Sequence, residues 1–77
     1  MTRSLKWTDA EDIGLRLHQR FPEVDPLTVR FTDLHARVCG LDEFGDAPTA
    51  SSEARLEAIQ MAWWEEFKDA QEQKLLS

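Results

Sequence analysis

The sequence predicts a small, mainly α-helical single domain. Three observations carry that prediction: apolar residues recur at helical spacing, start and stop signals bracket the periodic segments, and 77 residues leave room for one core. A chain this short buries only about 60% of its unfolded surface, so function belongs on its outside rather than in a deep internal site. Hydrophobic residues make up 42%, with three Trp and four Phe, which is enough for a small aromatic core and too many for a disordered chain.

The elements follow in chain order. At "TDAE", Thr8 and Glu11 stand three apart and predict a capping box that opens the first helix. Ala10, Ile13, Gly14, Leu17 and Phe21 then form one apolar stripe, and Pro22 stops the helix. Asp9 in the first turn suits the helix dipole, and Asp12 with Arg16, four apart, predicts an ion pair on the wet side. "DP" reads as a short element, with Asp25 as N-cap and Pro26 at its first position. Val29, Arg30 and Phe31 favour extended backbone.

Thr32 is read as the cap of a second main helix, "DLHARVCGL", which ends at Gly40 and carries Leu34, Val38 and Leu41 on its apolar side. "DEFGDAPTASS" reads as a loop. The last helix starts near Ser51, with Glu53 in its first turn. Leu56, Ile59, Trp63 and Phe67 form the strongest stripe in the chain. Trp64, beside that stripe, is expected to complete the core rather than to join Met61 in self-association. Residues 1–67 are assigned to the domain and 68–77 to a fraying helical tail.

Charge narrows the function classes. Fifteen acidic residues against nine basic ones give a net charge of −6. Nucleic-acid binding requires the opposite sign, because its affinity comes from neutralising phosphates. Cations and basic protein patches remain as partners, with plain solubility as the bland alternative. The start "MTRSLKW" shows no secretory signal, and no stretch is apolar for the length a bilayer demands. One cysteine cannot make an internal disulfide, which fits a reducing cytoplasm. A soluble, cytoplasmic monomer is the expectation.

Among candidate chemical groups, His35 and Cys39 stand four apart and share a helix side, as a soft-metal half-site would. Asp33 points nearly opposite, and no second cysteine exists, so a structural zinc site is disfavoured. A catalytic Cys39 would need a pocket, an orienting group and an oxyanion hole. The simpler reading is a packed cysteine beside a border histidine. The carboxylates are more suggestive. Asp42, Glu43 and Asp46 cluster in a loop, and Glu53 and Glu57 stand four apart on one helix face. Without a caging pattern such as an EF-hand, exposed acids suit hard cations held weakly, or simply form a solvated face.

The order of the motifs carries a resemblance. "LKWTDAEDIG", "DPLTVRFTDLH", "VCGLDEF" and "SSEARLEAI" with a following Trp resemble the IscX family, over residues 5–64. These are small acidic proteins of bacterial iron–sulfur cluster assembly. The resemblance implies a modified winged-helix-like helical fold and no enzymatic activity. It implies a partner, cysteine desulfurase, met through an acidic face, and iron bound weakly as donor cargo or modulator. Carried over by position, Asp9, Asp12, Asp33, Asp42, Glu43, Asp46, Glu53 and Glu57 would be the iron-facing acids. Trp7, Arg30 and His35 would lie on or beside the partner surface.

Two departures qualify the match. The family's loop commonly runs through three acids before its proline, where this chain has Gly45, Asp46 and Ala47, so iron should be held less tightly here. Arg37 stands where the family often has a Trp, which places a cation in the acidic region and makes it a fourth partner-facing candidate. The competing interpretation is an acidic, winged-helix-type adaptor or DNA mimic that occupies a nucleic-acid-binding protein.

Overall fold

The computed structural model describes residues 4–76, so the outermost bounds of the two assigned segments, residues 1–3 and Ser77, lie outside the described residues. Helix α1 spans Ala10–Arg20, α2 spans Phe31–Cys39 and α3 spans Glu53–Leu76. Single 3₁₀ turns at Pro26–Thr28 and Pro48–Ala50 precede α2 and α3. The mainly helical expectation holds. Extended pairing among the described residues is confined to one parallel bridge between Leu5 and Phe44, where Leu5 N–H donates to Glu43 O at 2.9 Å and Gly45 N–H to Leu5 O at 3.0 Å. At 1.5 Å per residue the 24 residues of α3 run about 36 Å, most of the molecule's 40 Å longest dimension. The helix continues through residues 68–76 without a break.

Helix α1 packs chiefly along α3. Gly14 makes this approach possible, because a Cβ there would lie 2.7 Å from the backbone N of Trp63 and 2.8 Å from the carbonyl carbon of Ala62. The core draws on every predicted stripe: Ile13 and Leu17, then Leu34, Val38 and Leu41, then Leu56, Ile59 and Trp63. Phe21 and Phe31 are half-buried against it. Trp7 adds the largest contribution from outside a helix. Trp64 is not part of this core. It stays half-buried with the Lys68 ammonium 4.8 Å over its ring, because one residue's rotation along α3 turns it away from α1.

Several predicted helix ends shift. Thr8 does not cap α1: Asp9 occupies that position and turns its carboxylate back to accept from Lys6 N–H at 2.9 Å. A preceding turn, closed by Asp9 N–H to Lys6 O at 2.8 Å, displaces the capping box. Arg30 rather than Thr32 stands before α2. Extended Val29 and Arg30 aim the Arg30 carbonyl at Leu34 N–H, 2.8 Å away, so Phe31 is already helical. Ser52 rather than Ser51 caps α3, its Oγ accepting from Arg55 N–H at 3.2 Å. The Asp25–Pro26 start is as predicted, with Asp25 Oδ1 accepting from Leu27 N–H at 3.0 Å. Arg16 reaches Glu43 at 3.8 Å and Gln19 at 3.2 Å instead of pairing with Asp12.

Candidate functional site

The predicted site residues divide into those that hold the fold and those left to solvent. Trp7, expected at a contact surface, is only 1% exposed and belongs to the core. Its ring stacks on His35 at 5.1 Å and meets Phe44 edge-on at 4.7 Å. Its Nε1–H donates to Ala47 O at 2.7 Å. The loop from Phe44 to Pro48 therefore wraps this indole.

Asp46, expected to face iron, also serves that wrap. Its carboxylate accepts from Trp7 N–H at 3.1 Å and from Ala47 N–H at 2.8 Å. Those backbone donors, the Trp7 one foremost, hold its pKa below the ordinary 3.8, and Lys6 and Arg55 add to the effect.

His35 is half-buried and fixed on three sides. Its Nε2 lies 2.7 Å from Pro48 O, which can only accept, so Nε2 carries the proton. Nδ1, the other ring nitrogen, faces Cys39 Sγ at 3.8 Å. Burial pushes the Cys39 thiol above its ordinary 9.0, which keeps it protonated at neutral pH. Arg37 lies over the Phe21 ring, 4.5 Å from its centre. Arg30 is exposed.

The other acids separate into distinct neighbourhoods. Asp42 and Glu43 border a hollow of about 190 Å³ that they share with Arg16 and Arg20, so the loop's charge is partly neutralised there. Asp9, Glu11 and Asp12 border another, of about 260 Å³, at the start of α1, with no basic side chain in its lining. Asp33, Glu53 and Glu57 are exposed on their helices. Asp12, Asp33, Asp42, Glu53 and Glu57 make no ion pair or hydrogen bond with another described residue, which leaves these five carboxylates to solvent. No three His, Cys, Asp or Glu side chains among the described residues gather closely enough to hold a metal ion.

One surface escaped the sequence reading. Ala10, Ala58 and Ala62 floor a hollow of about 570 Å³ between α1 and α3, and Glu11, Glu65 and Glu66 border it. The signal was present as Ala54, Ala58, Ala62 and Glu66, each four residues from the last and hence on one line of α3. Alanine weighs too little in an apolar stripe to draw the eye to that line.

Comparison with known proteins bears on all of this geometry. Residues 5–68 match the family described as iron-sulphur cluster assembly. An uncharacterized protein of Pseudomonas aeruginosa is 54% identical over 63 residues, which cover 82% of this chain and 96% of that protein. The match ends at Lys68, so residues 69–76 extend α3 past the shared region.

Proposed function

We propose, since the chain belongs to the iron–sulphur cluster assembly family, the IscX family, that it is a non-catalytic accessory protein of that process. In this reading it docks as a cytoplasmic monomer on a cysteine desulfurase through its exposed carboxylates. It carries iron as weakly held cargo, and the binding adjusts the enzyme's sulfur supply. Its three helices and the Leu5–Phe44 bridge serve as a reduced, winged-helix-like frame.

The observation that carries the reading is family membership over residues 5–68. Physical support comes from the net charge of −6 and from Asp12, Asp33, Asp42, Glu53 and Glu57, which are exposed and have no partner among the described residues. Such acids steer a basic surface quickly and give salt-sensitive binding. No described helix is long and apolar enough to cross a membrane.

Titration of the chain against a cysteine desulfurase at two ionic strengths tests the proposal. Asp12 and Asp42 are suitable targets, because neither makes a contact the fold needs, whereas Asp46 does. The double variant Asp12→Lys/Asp42→Lys should weaken binding at least tenfold, about 1.4 kcal/mol, at low salt. Unchanged affinity would remove the acidic face from the mechanism.

A further inference from the structure

We infer that the groove between α1 and α3 is a docking site for a basic helix of another protein, its end lysines or arginines seated against Glu11, Glu65 and Glu66. The surface is distinct from Asp42 and from the loop acids, so the inference does not rest on the desulfurase reading.

The groove has length, shape and polarity. The hollow floored by Ala10, Ala58 and Ala62 shares Ala10 and Ala58 with a second hollow of about 380 Å³ that continues past Ala54 and Arg55 to Ser52. From Ser52 to Glu66 along α3 is about 21 Å at 1.5 Å per residue, the length of a four-turn helix. Alanines four apart leave a shallow groove into which the side-chain ridge of a second helix fits at close range. Gly14 sets the floor by drawing α1 onto Ala62.

Charge selects the occupant. Glu65 pairs with Lys68 at 3.2 Å, while Glu11 and Glu66 have no cation partner among the described residues. Arg55 stands at the opposite end. The complementary ligand is a helix with a small-residue or leucine stripe, Lys or Arg at one end, and an acid nearer Arg55. A second copy of this chain brings another −6, and an anionic membrane or a nucleic acid brings the same sign, so each opposes the acidic end.

The test uses the full chain, ¹⁵N-labelled, titrated at low salt with a synthetic 18-residue helical peptide that has an Ala/Leu stripe and lysines at one end. Amide shifts should centre on Ala58, Ala62, Glu65 and Glu66. Glu11→Lys/Glu66→Lys should weaken the peptide at least tenfold. Ala58→Gln, which fills the groove without changing charge at an exposed helical position, should weaken it comparably, and Asp42→Lys should change it less than threefold. The inference is overturned if Ala58→Gln binds the peptide like the parent, if the shifts centre on Asp42 and Glu43, or if sedimentation shows that a dimer covers the Ala58 face.

Discussion

Two regions of this molecule solve the same problem by opposite means. Around Trp7 the chain buries one large aromatic and closes over it with hydrogen bonds that Trp7 donates to the Asp46 carboxylate and to Ala47 O, with His35 stacked on the indole. Between α1 and α3 it removes side-chain bulk instead: Gly14 lets two backbones meet, and a row of alanines is left open to solvent. The first region spends its polar groups inward on a locked loop. The second keeps its acids at the rim, available to a partner. Acid content alone therefore does not mark a binding surface in this protein. What the carboxylate already holds decides its role.

The largest effect should come from breaking the lock. Trp7→Ala removes a fully buried indole and should cost about 3–5 kcal/mol, a large fraction of a small domain's stability. A urea titration followed by far-UV circular dichroism would measure it, and a loss under 1 kcal/mol would mean that the loop closes without its anchor. Gly14→Ala tests the other region. Helix propensity alone favours alanine by up to about 1 kcal/mol, yet the new methyl would press on the backbone of Ala62 and Trp63. A net loss of about 1–3 kcal/mol is expected, because overpacking against backbone relaxes poorly. A stabilised variant would show that the two helices can separate at little cost.

A smaller effect separates the Asp46 carboxylate from the acids at the surface. Its folded pKa is depressed, so its contribution is whole above the unfolded value near 3.8 and is lost as pH falls through the lower folded value. Melting temperatures of the parent should therefore drop across the range below about pH 4. In Asp46→Asn that acid-side drop should flatten, and the variant should start less stable at neutral pH. Parallel pH profiles for the two proteins would rule out the carboxylate as the loop's clasp.

The core was legible in the sequence because helical periodicity is a local signal. Ile13 and Leu17, Leu34 and Val38, and Ile59 and Trp63 all lie where the spacing placed them. The structural roles of Trp7 and Asp46 were not legible for one reason: they are set by each other across 39 residues, and no short-range pattern announces such a contact. Asp46 looked like a ligand because it sits with two other acids, although a backbone donor far along the chain claims it. The starts of α1 and α2 moved by one or two residues because a preceding turn and an extended approach supplied the geometry that a Thr cap was expected to supply, whereas α3 only exchanged Ser51 for its neighbour Ser52. The α1–α3 groove stayed hidden because it is defined by what alanine lacks.

The smallest expected effect concerns Arg37, and it separates anchoring from availability at a residue that looked partner-facing. Its guanidinium lies 4.5 Å from the centre of the Phe21 ring, and Phe21 in turn neighbours Trp63 at 6.4 Å. The cation thus covers the edge of the core where α1 ends. Replacing it with alanine should cost about 0.5–1 kcal/mol, the usual worth of a cation over an aromatic face at a partly exposed site. Arg37→Lys keeps the charge but loses the planar stack, so it should fall between the parent and the alanine variant. Denaturant midpoints of the three proteins measure this order. If lysine and alanine were equally destabilising, planar stacking rather than charge would be the source of the contact. If neither moved the midpoint, Arg37 would be free to serve a partner after all.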